Sequence, residues 1–465
     1  MIGWVWGVAA TAGSGWWFPR MLTEFFGLGP LGGALGLFGV GALVTGPTTA
    51  LFGAWLAHLA RRGRAGPFAA GAGFAAAELA RTYGPIAAPW ALSGYLLADT
   101  PFAECADLAG VWGVGFVASV VNAGVASVAA PALRPRTRVR AAALVAFVAA
   151  AFAYGSARRA QPFDDGAEVA VAVIQSGVTW GFEFDPARTR PNLERYAALT
   201  ARAAERKPAL VFWPEHAIDF YLTDEGPARD ALFAALAPLG TEVVLGAPFY
   251  RRDGAAVRYR NAVFSLAGGR VRDRVDKAQL VPFAEAAPFA PLPAAGTGYE
   301  AGGPRRPLAT GAGQVGVLIC SEGLFPGAAR ELAQAGAELL FHPSNDFWMT
   351  SPAGAALMLR SAAFRAIEER RWLVRATPTG ISAVIDPHGR VAAQAAFGAV
   401  EVLHGTVRLG RGRTTYARVG DAPVALAAVW AVTLAIAPRR PARKLRAGAG
   451  PVRAGAPGRD EEAPR

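Results

Sequence analysis

Apolar residues run almost unbroken through six stretches of the chain, at residues 1–14, 31–60, 66–83, 109–131, 139–156 and 421–438. A helix that crosses a bilayer needs about 20 mostly apolar residues. Each stretch therefore reads as a membrane helix, about five of them within residues 1–156 and one at 421–438. The second stretch holds Gly46-Pro47, which predicts a kink or strong tilt. From 157 to 420 the pattern changes to short β-rich runs alternating with segments of helical spacing. Strands are expected at 168–178, 209–215, 242–250, 261–266, 315–320 and 338–344, with a strand pair at 372–377 and 381–386 around Gly380. Helices are expected at 189–206 and 352–370. Such alternation predicts a layered α/β domain. Residues 439–465, rich in Gly, Ala, Pro and charge, read as a basic, disordered tail.

Composition and charge sharpen this division. The apolar fraction is 53% and the charged fraction only 18%, against about 25% charged in ordinary soluble domains. The net charge of +12 could suggest a nucleic-acid partner, but its placement argues otherwise. Arg61, Arg62 and Arg64 contribute +3, the four arginines 134, 136, 138 and 140 contribute +4, and residues 439–465 contribute +5. These clusters account for the whole net charge, and each abuts an apolar run. Short basic loops beside membrane helices lie in the cytoplasm. That rule sets 61–64, 134–140 and 439–465 inside, and 15–30, 84–108 and 157–420 outside. A nucleic-acid reader would need a basic face interleaved with aromatics, which the sequence lacks. Nothing points to an oligomer, and a monomer is expected.

Polar groups at the ends of buried strands are well placed for chemistry. Glu215 follows Leu210-Val-Phe-Trp-Pro, Cys320 follows Val315-Gly-Val-Leu-Ile, and Lys277 stands in Val275-Asp-Lys-Ala-Gln-Leu-Val-Pro-Phe. Together they offer a base, a nucleophile and a cation. A thiol attacks only as thiolate and needs a neighbour that takes its proton. A lysine beside a developing oxyanion supplies the charge that acyl transfer requires. Of the 47 basic residues only Lys207, Lys277 and Lys444 are lysine, and Lys277 alone lies amid apolar residues. Each residue also has a plain structural reading: a buried Cys packs as a small hydrophobe, a Glu caps a strand, a Lys pairs with Asp276. Cys105 reads as a free thiol and His216 as a turn residue.

The segments Trp213-Pro-Glu215, Lys277-Ala-Gln-Leu-Val-Pro-Phe-Ala-Glu285, Ile319-Cys320-Ser-Glu322 and Ser344-Asn-Asp346 occur in the order of the nitrilase (carbon-nitrogen hydrolase) superfamily. Glu78-Leu-Ala-Arg81, Pro89-Trp90, Asn122 and Tyr416-Ala-Arg418-Val-Gly420-Asp421 extend the likeness, so that nearly all of residues 1–438 resembles the apolipoprotein N-acyltransferase family. The resemblance implies a polytopic α-helical membrane domain joined to an extracytoplasmic nitrilase-like α-β-β-α sandwich, in the bacterial inner membrane. It implies a catalytic triad of Glu215, Lys277 and Cys320, with Glu285 orienting Lys277 and Glu322 shaping the site. The acyl donor would be a membrane phospholipid and the acceptor the α-amino group of a diacylglyceryl-lipoprotein, with no metal or organic cofactor. Relative to the family, Ser321 stands where Tyr is usual, Phe347 where Ala is usual, Phe184 where Trp is usual, and Pro378 where Asn is usual. The family has eight membrane helices where six are counted, and residues 1–15 align with its third, so a start two helices late is expected.

Two other functions fit the same residues. One is a membrane-tethered amidase or nitrilase, with the triad and water as second substrate. The other is a lipid- or lipoprotein-binding protein of weak catalysis.

Overall fold

The computed structural model describes residues 1–24, 26–84, 87, 89–129, 137–163, 166–179, 185–254, 256–282, 284–286 and 298–438. Trp180, Phe184, Arg134, Arg136 and the tail 439–465 lie outside the described residues.

All six apolar stretches form helices. Three of them, Gly29–Arg61, Pro101–Ser127 and Ala141–Arg159, are long and apolar enough to cross a membrane. The other three are shorter: Ile2–Ser14, Pro67–Ala80 and Ala422–Ile436 have 13, 14 and 15 residues. At about 1.5 Å per residue they reach roughly 20 Å, less than a hydrocarbon core of about 30 Å. Buried Glu78, in the last turn of the helix Pro67–Ala80, accepts from the backbone N–H and hydroxyl of Ser93, at 2.8 and 2.7 Å. The expected irregularity near Gly46-Pro47 takes the form of a π-helical turn at Gly41–Thr45, just ahead of the proline.

The basic loop after Arg61 closes on the last helix. Arg62 donates to the Ala437 carbonyl at 3.0 Å, and Arg64 donates to Leu434 and Ala437 at 2.8 and 2.9 Å. Guanidinium groups thus satisfy the orphan carbonyls and negative dipole end of Ala422–Ile436. The loop and the C-terminal end of that helix lie together.

The α/β half is built on two six-stranded sheets. The first has the order β12-β1-β2-β3-β4-β5, with β1 Glu168–Gln175, β2 Leu210–Phe212, β3 Glu242–Asp253, β4 Ala256–Ala267, β5 Arg270–Asp276 and β12 Glu401–Arg408. The second has the order β11-β10-β9-β8-β7-β6, with β6 Leu308–Ala309, β7 Gln314–Val317, β8 Leu339–Pro343, β9 Leu373–Ala376, β10 Ala383–Ile385 and β11 Val391–Gln394. Strands β1, β2 and β3 pair in parallel, as do β7, β8 and β9. Parallel strands buried on both faces read as continuous apolar runs, which is why β2, β7 and β8 are visible in the sequence.

The two sheets face each other across Val171, Val173, Phe212 and Val244 on one side and Val317, Phe341, Val374 and Val384 on the other. Phe212 and Phe341 meet with ring centroids 4.6 Å apart. Leu193, Tyr196 and Leu199 of the helix Pro186–Ala204 cover the outer face of the first sheet. Ala329, Leu332, Ala362 and Ala366, from Pro326–Gln334 and Pro352–Glu369, cover the second. The result is the four-layer α-β-β-α sandwich expected.

The helix Pro352–Glu369 also joins the two halves of the protein. Its buried Glu368 accepts from the Val111 backbone N–H at 2.8 Å, where the helix Ala106–Ala129 is broken at Gly110, φ +66°. Arg370, directly after the helix, ion-pairs with Glu104 at 2.6 Å and Asp107 at 2.8 Å. These polar contacts fix the sandwich against the membrane helices.

Candidate active site

Glu215, Lys277 and Cys320 each follow the C-terminal end of a strand: β2, β5 and β7. Since β5 is antiparallel to β4 and β4 to β3, β5 runs in the direction of β2, and these ends share one edge of the sandwich. The sheets converge the base and the cation from one layer with the nucleophile from the other.

Glu215 is placed by its neighbour Trp213, which is fully buried, stacks on Tyr196 at 4.7 Å and donates its indole N–H to Thr200 at 3.0 Å. The carboxylate then accepts from the Asn261 side-chain amide at 2.7 Å and the Asn345 backbone N–H at 2.8 Å. Lys277 Nζ lies 3.6 Å from the same oxygen that Asn261 binds. Burial by itself raises the Glu215 pKa, but Lys277, the nearby His216 and these two donors outweigh it and hold the carboxyl below its ordinary value. His216, directly after it, takes a left-handed turn at φ +49°, and burial pushes its imidazole down.

Lys277 is fully buried. Its ammonium is 2.9 Å from Glu285, whose second oxygen accepts from the Val281 backbone N–H at 2.8 Å. Burial disfavours the charged amine, yet Glu285 and Glu215 together raise it above the ordinary lysine value. The site therefore holds a permanent cation.

Cys320 opens a short 3₁₀ turn, Cys320–Leu324, rather than continuing β7 as the sequence suggested. Its φ is +54°, a left-handed backbone that costs a non-glycine residue about 1–3 kcal/mol and clusters at functional sites. Burial first and Glu215 second push the thiol above its ordinary value, with Lys277 opposing. Ser344 Oγ lies 3.6 Å from the sulfur. The resting arrangement is thus an anionic Glu215, a cationic Lys277 and a protonated Cys320.

Glu322 is buried beneath this turn. One oxygen accepts from the Ile319 backbone N–H at 2.9 Å, the other from Ala278 and Gln279, both at 3.0 Å, and from Arg305 at 3.2 Å. It ties the Cys320 turn to the segment that follows Lys277. Glu285 therefore touches Lys277 directly, whereas Glu322 holds the backbone of the Cys320 turn and of the segment after Lys277. Sequence reasoning missed Asn261, which has no motif of its own, and Arg305, one arginine among many. Cys105, away from the site, is a buried free thiol.

Residues 170–417 match the carbon-nitrogen hydrolase family, and residues 1–124 match the apolipoprotein N-acyltransferase N-terminal domain. The apolipoprotein N-acyltransferase of Geobacter metallireducens is 33% identical over 438 residues, which cover 90% of this chain and 83% of that one. That of Bradyrhizobium diazoefficiens is 33% identical over 383 residues, 77% of this chain and 71% of its own. That of Pseudomonas putida is 30% identical over 444 residues, 91% of this chain and 85% of its own. With relatives of this identity over most of both chains, and with both halves matched by family, the chain belongs to the apolipoprotein N-acyltransferase family, its candidate active site lying in the carbon-nitrogen hydrolase domain.

Proposed function

We propose that this protein is a membrane N-acyltransferase that moves an acyl chain from a phospholipid to the α-amino group of a lipoprotein's N-terminal diacylglyceryl-cysteine, through a thioester on Cys320. The observation that carries this reading is the Glu215–Lys277–Cys320 constellation. An anionic base, a fixed cation and a protonated thiol meet at one edge of the sandwich.

The chemistry follows from those charge states. As the sulfur attacks the ester carbonyl carbon, its proton passes to Glu215. The carbonyl oxygen becomes negative and is held by Lys277, whose charge is already in place and needs no reorganisation. When the tetrahedral centre collapses, the carbon–oxygen bond breaks, Glu215 returns the proton to the leaving alkoxide, and a lysophospholipid departs. The acceptor's amine then attacks the thioester, Glu215 takes one of its protons, and the carbon–sulfur bond breaks. The proton returns to the thiolate and an amide leaves. Because the resting thiol is protonated, attack and proton transfer are coupled, and the nucleophile forms only when an ester is in position.

The family of the N-terminal half favours transfer over hydrolysis, since a water-using amidase has no need of an acyltransferase membrane domain. The arginine placement supports an orientation with the sandwich outside the cytoplasm of the bacterial inner membrane, and with Arg61–Arg64 and the tail inside. The experiment is N-acylation of a diacylated lipopeptide by membranes carrying the wild-type chain or Cys320→Ala. Activity should vanish in the variant. Wild-type activity there would remove Cys320 from the mechanism.

A further inference from the structure

Behind Cys320 lies a fully buried polar cluster that the acyl-transfer chemistry does not use. His342 on β8 and Arg375 on β9 are paired in register in the second sheet, and both are completely buried, as are Ser344 and Asp346 just beyond β8. Arg375 Nη1 lies 2.9 Å from His342 Nδ1 and 3.3 Å from His342 Nε2, and Nε2 lies 2.8 Å from the Cys320 carbonyl oxygen. The other Arg375 terminal nitrogen ion-pairs with Asp346 Oδ2. Ser344 Oγ lies 2.6 Å from Asp346 Oδ1 and 3.6 Å from Cys320 Sγ.

Donor accounting fixes the roles. A carbonyl oxygen can only accept, so the 2.8 Å contact to Cys320 puts the ring hydrogen on His342 Nε2 and leaves Nδ1, the nitrogen nearer Arg375, without one. Burial, and Arg375 next, hold the imidazole well below its ordinary pKa, so the ring stays neutral and this tautomer persists. Ser344 has one hydroxyl hydrogen, and the shorter contact to Asp346 takes it. Its oxygen lone pair then faces the sulfur.

Two glycines make room for this cluster. A Cβ on Gly323, in the turn that Cys320 opens, would come within 2.5 Å of the His342 ring. A Cβ on Gly380 would come within 2.3 Å of Asp346 Oδ2. Any larger residue at either position would push the cluster off Cys320.

We infer that Arg375 is a positioning residue that holds the Cys320 nucleophile from behind, through His342 to its carbonyl oxygen and through Asp346 and Ser344 to its sulfur. The inference rests on Cys320 being the acylated residue. The left-handed backbone at Cys320 needs such a support: its carbonyl is turned inward to the His342 ring and held there. Arg375 reaches both ends of the residue, carbonyl and thiol, without touching substrate. A misplacement of about 1 Å at a reacting group costs on the order of a hundredfold in rate.

The test uses the full-length protein in phospholipid vesicles and follows formation of acyl-Cys320 in a single turnover, with thermal unfolding measured on each variant. His342→Leu fills much of the ring's space but cannot relay a hydrogen bond. It should lower the maximal acylation rate by about tenfold to a hundredfold at unchanged half-saturating phospholipid. His342→Gln, whose amide accepts from Arg375 and donates to the Cys320 carbonyl, should recover to within about threefold of wild type. A purely space-filling role predicts equal rates for the two variants, and that result overturns the inference. If His342→Leu does not fold, Ser344→Ala decides: about a tenfold loss at unchanged half-saturation supports the relay, and a wild-type rate overturns it. N-acylation of a diacylated lipopeptide by Cys320→Ala separates the two levels. An inactive Cys320→Ala beside a fully active His342→Leu sinks the positioning role alone, whereas an active Cys320→Ala sinks the acyl-enzyme reading beneath it.

Discussion

Lys277 sits closer to Glu285 than to Glu215, the proposed base: 2.9 Å separates its ammonium from Glu285 and 3.6 Å from Glu215. Glu285 is in turn anchored by the Val281 backbone N–H at 2.8 Å, in the same loop that follows Lys277. The lysine therefore has a fixed partner of its own, which leaves Glu215 available to take a proton. Removing the charge of that partner without changing its shape should draw Lys277 toward Glu215 and weaken the base. Glu285→Gln is expected to slow acylation by about tenfold to a hundredfold, less than the roughly 10²–10³ that follows outright loss of an oxyanion donor. Single-turnover acylation with phospholipid checks this, and an unchanged rate would show that Lys277 does not depend on Glu285.

Lys277→Arg should keep the charge and lose the activity. A buried guanidinium is larger and planar, and presents its donors in a fixed fork. It can pair with Glu285 and Glu215 but cannot occupy the compact position of the ammonium. The expected loss is at least about 10²-fold in acylation, with thermal stability little changed because the carboxylates keep a cationic partner. A fully active variant would place the oxyanion elsewhere.

The pH dependence follows from the directions of the shifts. Cys320 is raised above 9.0, so alkylation of the resting enzyme by a neutral haloacetamide should still be rising at pH 9. Glu215 is lowered below 4.5, so the base stays ionised down to that pH. Acyl-enzyme formation should then lose rate only as pH falls below 4.5, where Glu215 takes up a proton. A thiol that alkylates fully near pH 7, or an acid limb near pH 6, would contradict the assigned charge states.

Contacts at the end of the last helix tie topology to geometry. Arg62 and Arg64 bind the carbonyls of Leu434 and Ala437, so the basic loop and residue 438 belong on one side of the membrane. Reporter fusions should report residue 64 inside and residue 300 outside. A reversed result, or fusions at 64 and 438 on opposite sides, would break this arrangement.

Much of the site was legible in the sequence because its chemistry sits at the ends of apolar strands. Glu215 and Cys320 each close a buried run, and Lys277 is one of three lysines against a strong arginine bias. The supporting residues were hidden for physical reasons. His342 and Arg375 are polar residues inside short buried strands, and only the register of β8 with β9 brings them together beneath Cys320. Strand β5 went unseen because its residues Arg270-Val-Arg-Asp-Arg-Val-Asp are those of a charged, half-exposed edge. In the membrane half, hydropathy located the six apolar helices but overstated some lengths and passed over the short helix Phe18–Glu24. It cannot register that buried Glu78 is bound by Ser93, or that a π turn precedes Pro47.

The most direct test of the central claim is mass spectrometry of the Cys320 peptide after incubating the full-length protein with phospholipid alone. The account expects a thioester-linked acyl chain on Cys320 in the wild type, released on adding a diacylated lipopeptide whose mass rises by the same acyl group. It expects no adduct in Glu215→Gln, where the thiol has lost its base. An unmodified Cys320 in a preparation that still N-acylates the lipopeptide would contradict the account.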